Sequence, residues 1–292
     1  MITKQKIKYS ILAILAGLFV WIIISYFSAK FLITTNNLEF NDIVQINNRK
    51  VENIDFQTID KYTISSWIVR NDTNRIIILL PGIKGNRLSQ ISRAEFYLKK
   101  GFSVLMPDLR GTGKSKGDFI SFGWHERKDL LACVNGLSKL GFTKISVDGQ
   151  SLGAATIIYS ISDYSDYEFI ILESCYDNIS NAFKNRVTKY SLPYFVFKPV
   201  EFFTEQLIGV SKKELVPDEL IKKVKCPILI LAGDAENQIP IDETMKLYDS
   251  CGSNSKNIHI FKGAKHENFH DRYKSEFENV ITNFIDSLSI TN

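Results

Sequence analysis

Apolar and polar positions divide the chain into three patterns. From Tyr9 to Ala29 the sequence is apolar apart from Ser10, Ser25 and Ser28. From Leu38 to Val69, short β-like runs at 43–46, 54–58 and 63–69 alternate with polar turns. They predict antiparallel strands that open a sheet. Beyond Arg75 the runs become apolar on both faces. Arg75 to Leu80 stops at Pro81-Gly82, and Phe102 to Met106 stops at Pro107-Asp108, with a helical segment over about 90–100 between them. Further strands are expected near 144–147, 168–172, 227–231 and 257–261, and helices near 126–140, 152–162 and 273–288. Apolar strands separated by helices predict an α/β fold, with a mostly parallel, doubly wound sheet covered on both sides.

One stretch breaks the alternation. Residues 176–225 carry helical patches and the aromatics Phe183, Tyr190, Tyr194, Phe195, Phe197, Phe202 and Phe203. This is read as a cap above the sheet, whose rings either pack it onto the body or wall an acyl chain.

The N-terminal run is of a different kind. As a helix, its 21 residues span about 31 Å, close to the hydrocarbon thickness of a bilayer. Lys4, Lys6 and Lys8 precede it and Lys30 follows, so the positive-inside bias puts the N-terminus in the cytoplasm and the rest of the chain outside. A cleaved signal has a shorter apolar region and ends in small residues, which Tyr26-Phe27-Ser28-Ala29 does not offer. A single-pass anchor over residues 1–30 followed by one globular domain over 31–292 is therefore expected.

Composition sharpens this division. The chain has 292 residues, 45% hydrophobic and 23% charged, enough for a full core. Its formal charge of +4 lies wholly in the first thirty residues, whose four lysines leave 32 basic against 32 acidic side chains elsewhere. A neutral body offers no basic face for nucleic acid. Cys133, Cys175, Cys226 and Cys251 have no metal-ligand spacing and are expected as free thiols, with a disulfide open to them outside the cell.

The chemistry centres on Gly149-Gln-Ser-Leu-Gly153, which follows a strand and opens a helix. A G-x-S-x-G in that setting forces its serine into a sharp, strained turn beside the amides of a helix N-terminus. Serine is a weak nucleophile and needs a base, itself oriented by a carboxylate. Loops after later strands supply both: Lys262-Gly-Ala-Lys-His266 after one, and Ala232 to Pro240, with Asp234 and Glu236, after another.

With these motifs in place, the chain resembles the α/β-hydrolase superfamily over about residues 50–290, in particular its membrane-anchored lysophospholipase-like and serine-aminopeptidase-like members. The resemblance is carried by Leu80-Pro-Gly-Ile-Lys-Gly-Asn-Arg87, Pro107-Asp-Leu-Arg-Gly-Thr-Gly-Lys-Ser115, Gly123-Trp-His-Glu-Arg-Lys-Asp129, the serine pentapeptide, the acid loop and Gly263-Ala-Lys-His266. It implies Ser151 as nucleophile, His266 as general base, and the backbone N–H groups of Ile83 and Leu152 as an oxyanion hole. The chain has Pro81-Gly82 where the family begins that loop with His-Gly. Aligning Gly233 and Pro240 with the family pattern puts Glu236 at the acid position, with Asp234 as the alternative. The resemblance implies a serine hydrolase that needs no cofactor, and the anchor and the aromatic insertion point to a lipid or other acyl ester as its substrate. A peptidase on the same fold and a non-catalytic binding protein are the alternatives.

Several residues have plainer readings. Asp108, Arg110 and Gly111 are expected to hold a turn, Glu126 and Asp129 to act as first-turn acids of a helix, and His125 and His259 to be structural or exposed. His266-Glu-Asn-Phe-His270 spells H-E-x-x-H, a zinc-helix signature. Gly263-Ala264 before it predicts a loop, so no metal is expected there.

Overall fold

The computed structural model describes residues 4–188 and 193–290. Helix α1 runs from Lys4–Leu32. A nine-stranded sheet follows, composed of β1 (Gln45–Ile46), β2 (Arg49–Gln57), β3 (Thr63–Val69), β4 (Arg75–Leu80), β5 (Ser103–Pro107), β6 (Lys144–Gln150), β7 (Ile170–Glu173), β8 (Ile228–Gly233) and β9 (Lys256–Phe261). Their spatial order is β9-β8-β7-β6-β4-β5-β3-β2-β1. The antiparallel opening is β1 to β3, and β3 also runs antiparallel to β5, while every pair from β5 to β9 is parallel. This is the mostly parallel, doubly wound arrangement that the alternation of apolar runs predicts.

Strand periodicity sorts the core into two layers. Ile76, Ile78 and Leu80 of β4 face one layer, shared with α3 (Arg127–Lys139) and α4 (Leu152–Ser160). Ile77 and Leu79 face the other, where α2 (Ile91–Lys99) and the final helix contribute Tyr97, Phe277 and Ile281. β4 stops at Leu80 because Pro81 has no N–H to continue the ladder. All parallel strands therefore release their loops at one edge, the edge at which open α/β sheets bind ligands.

The cap contains α5 (Ile179–Thr188) and α6 (Lys198–Ile208). Tyr190 lies outside the described residues. Phe183 meets Phe122 of the body edge to face, whereas Phe195 and Phe202 are exposed. The apolar N-terminal helix is long and apolar enough to cross a membrane, yet it does not stand apart from the cap. Ser25 and Ala29 are buried, Trp21 Nε1 donates to the carbonyl of Val196 at 3.0 Å, and Tyr26 meets Phe203 edge to face. The residues after α1 are knitted to the body too, with the amide of Asn36 donating to Gly111 O at 2.7 Å.

Three further expectations can be compared with the fold. The four cysteines are free thiols, three of them buried. Glu126 and Asp129 do open a helix, Glu126 as the residue before α3 and Asp129 in its first turn. Both are fully buried acceptors, Glu126 taking the amides of Ser121 and Gly123 and Asp129 taking the amide and guanidinium of Arg110. Buried backbone donors in the loop before α3 need acceptors, and these two acids supply them from a helix start that also favours negative charge. Asp108 holds its turn through the amides of Arg87 and Lys114, and it is ion-paired to the Arg87 side chain.

Candidate active site

β6 ends at Gln150 and α4 begins at Leu152, so Ser151 alone turns the chain. It does so at φ 50° and ψ −106°, a conformation that costs a residue with a side chain roughly 1–3 kcal/mol. The flanking glycines follow from the tightness of the turn. A Cβ on Gly149 would lie 2.5 Å from the carbonyl carbon of Gly153, and one on Gly153 would lie 2.4 Å from Leu80 O. The Ser151 amide donates to Glu173 O at 2.7 Å, which fixes the turn to the end of β7.

The loops after β8 and β9 converge on this serine. His266 places Nε2 3.2 Å from Ser151 Oγ, and its Nδ1 makes a short hydrogen bond to the Glu236 carboxylate. Glu236 is buried, and its second oxygen accepts from Ser174 Oγ at 2.9 Å. Asp234 is exposed and points elsewhere, accepting the amide of Gly263. Of the two acids offered by the sequence, then, only Glu236 is brought to His266.

Ile83 and Leu152 line a cavity of about 160 Å³ together with Ser151 and His266. Leu152 opens α4, where an amide has no intrahelical partner. Ile83 lies in a turn closed by Gly85 N–H to Gly82 O at 2.9 Å and braced by Asn36 Nδ2 donating to Lys84 O at 2.7 Å. Among the described residues, neither amide donates to another protein group. Among the described residues the remaining lining is largely apolar (Leu32, Phe122, Ile179 and Phe183), with Arg186 as its one cation and no carboxylate.

Beneath the serine turn is a buried ionic cluster. The Arg93 guanidinium reaches Asp148 Oδ1 at 2.9 Å, Glu173 Oε2 at 2.7 Å and Asn268 Oδ1 at 3.0 Å, and the Tyr97 hydroxyl donates to Asp148 Oδ2 at 2.7 Å. Two carboxylates thus share one guanidinium away from water. Burial pushes the Glu173 carboxyl up to about 7, with Arg93 opposing and Asp148 adding to the shift. The cluster ties α2, β6 and β7 to the chain just after His266.

The H-E-x-x-H stretch does not form a zinc helix. The one-turn helix Phe269–Arg272 starts after His266, which faces Ser151, while His270 is buried against Ser92 and Glu278. Burial and the nearby Arg93 guanidinium lower the pKa of His270. His125 is bonded to Ile208 O, and His259 to Glu276 at the surface.

Sequence reasoning missed three participants. Ser174 holds Glu236 from a left-handed conformation, φ 50°, that its residue type does not announce. Arg186 and Leu32 come from elements read as lid and anchor, and only the assembled fold brings them to the serine. A serine directly after a strand at the sheet's functional edge was the available signal for Ser174.

Residues 88–289 match the prolyl oligopeptidase family, peptidase family S9. The Bacillus subtilis protein YqkD is 27% identical over 237 residues, covering 78% of this chain and 77% of that protein. The lysophosphatidylserine lipase ABHD12 of Danio rerio is 27% identical over 193 residues, 63% of this chain and 49% of its own length. Among solved structures, the Pyrococcus furiosus esterase Pf2001 superposes with a TM-score of 0.75 at 20% identity, over 87% of this chain and 97% of the esterase.

Proposed function

The chain belongs to the prolyl oligopeptidase family within the α/β-hydrolase superfamily, a hydrolase of the esterase and lipase type, and on that premise we propose that it cleaves acyl esters through Ser151, His266 and Glu236. The observation that carries the reading is the continuous line of hydrogen bonds from Ser151 Oγ through His266 to Glu236. A carboxylate can only accept, so Nδ1 carries the proton and Nε2 is left to take one. Ser151 Oγ attacks the ester carbonyl as its proton passes to Nε2. The amides of Ile83 and Leu152 receive the oxyanion, and His266 returns the proton to the leaving alcohol. Water then repeats the sequence on the acyl-enzyme.

The family also contains peptidases, and an aminopeptidase is the second reading. Binding a substrate's N-terminal ammonium calls for a carboxylate near the nucleophile. The cavity around Ser151 offers Arg186 and apolar walls instead, which favours an acyl ester of a lipid or small molecule. The apolar α1 is compatible with membrane anchoring, and the lysines before it favour a cytoplasmic N-terminus with the body on the opposite side.

Labelling with a fluorophosphonate, in parallel with hydrolysis of a butanoyl ester, tests the proposal. The parent protein should label and turn over, and Ser151→Ala should do neither. Equal labelling of both proteins, or turnover that survives the substitution, would overturn it.

A further inference from the structure

Outside the catalytic cavity lies an apolar groove of about 550 Å³ between α1 and the cap. Ile23, Ile24, Phe27 and Phe31 form one wall, and Phe197 and Val200 stand on the cap side. Leu32, Phe183 and Arg186 line both this groove and the cavity holding Ser151, so the two spaces meet. The groove's one acid, Glu201, is already engaged by Ser180, Tyr194 and Lys212, which leaves the wall hydrocarbon in character.

The position of the groove along α1 indicates what enters it. Its wall occupies residues 23–32, of which 23–29 belong to the apolar run and span, at 1.5 Å per residue, about 10 Å, a third of the thickness of a bilayer's hydrocarbon core. Those residues end the helix on the side of the body. Ile24, Phe27 and Phe31 are exposed there, as are Phe195 and Phe202 of the cap. An apolar channel opening at that depth faces acyl chains rather than water.

We propose that the body-side half of α1 is part of the substrate site: with the cap it forms a groove that admits one acyl chain from the adjoining leaflet and leads its ester to Ser151. This rests on the serine-hydrolase reading and adds a substrate class to it, a single-chain acyl ester resident in the membrane. A second chain on the same ester would have to stay outside the groove. The anchor is then both tether and wall.

The experiment uses the full chain in mixed micelles and measures kcat/KM for dodecanoyl and butanoyl monoesters. Both esters are presented in the same micelles, so the change in the ratio of the two constants between parent and variant reports the groove. Ser28→Trp, which puts an indole into the groove, should lower that ratio on the order of tenfold. Phe27→Ala, which removes wall, should lower it in the same direction and serves if the tryptophan variant does not fold. Leu15→Trp, on the exposed N-terminal half of α1, should leave the ratio as in the parent. A ratio unchanged in both groove variants, or lowered equally by Leu15→Trp, overturns the groove while butanoyl turnover and fluorophosphonate labelling keep the serine reading standing. Failure of the parent to label or to turn over the butanoyl ester sinks the serine reading itself.

Discussion

At Glu236, one methylene separates this chain from the aspartate common at its position, and the fold accommodates the extra reach by holding the carboxylate from both ends. Ser174 takes one oxygen and His266 the other. Glu236→Gln offers an amide where Nδ1–H needs an acceptor and favours the wrong tautomer of His266. It should lower kcat for a butanoyl ester by about 10³–10⁴. Asp234→Asn should change kcat by no more than a few-fold, because Asp234 touches only the amide of Gly263. A larger loss from Asp234→Asn than from Glu236→Gln would reverse the two roles. Arg186 poses a separate question, since it makes no ion pair among the described residues and donates to Ala182 O at 2.8 Å. Burial lowers its pKa, so an anionic group on the substrate would relieve it. Arg186→Gln should raise KM for an anionic monoacyl ester well above its effect on a neutral ester of equal chain length. At this scale, the convergence of the loops that carry Ser151, His266 and the Asp234/Glu236 pair was legible because strand-end spacing fixes where each loop begins, while Glu236 over Asp234 came from the resemblance. Ser174 was marked only by its place directly after a strand, because the backbone twist that aims it at Glu236 is not written in its residue type.

At the scale of elements, the serine turn is held by what it excludes. Gly153→Ala drives a methyl against the backbone of β4. It should destabilise the protein by about 1–3 kcal/mol, visible as a lower urea midpoint, and reduce turnover through displacement of Ser151. The buried cluster below the turn gives a pH signature. The Glu173 carboxyl goes from 4.5 when unfolded to about 7 when folded, so the folded state holds its proton longer. Its stabilising contribution is complete below 4.5 and is lost as the pH rises through 7. Urea midpoints of the parent should therefore fall between about pH 4.5 and pH 7, the Asp129 and Glu243 carboxyls, also pushed up to about 7 by burial, adding to the fall, and Glu173→Gln should make it shallower. An unchanged slope in the variant would assign the effect to another group. The strands and most helices were readable from periodicity alone to within a few residues. The burial of Glu126 and Asp129 was not, because sequence shows a helix start without showing which loops must bring their amides there.

At the scale of the whole molecule, charge and apolarity are segregated along the chain. The first thirty residues carry the entire formal excess of +4, but if α1 anchors the chain as proposed, its hold on a bilayer should come from apolar length rather than from lysine. The full protein should remain with vesicles through a wash in about 1 M salt, where surface electrostatics are screened within a few ångströms. Release by that wash would mean peripheral attachment. The sequence separated anchor from body at about residue 30, whereas the helix continues to Leu32 and rests on the cap. A pattern of apolar residues gives the length of a helix, but not the small patch at Ser25 and Ala29 through which it docks.

That docking has a kinetic consequence. On the anchoring proposed above, Trp21 bonded to Val196 and Tyr26 packed on Phe203 would fix the height of the body relative to the bilayer and confine it to a two-dimensional supply. The rate should follow the mole fraction of substrate within the surface. Diluting the ester with inert lipid in each vesicle should slow turnover even at constant total ester, while adding more vesicles of the same composition to an enzyme already embedded should leave its rate as it was.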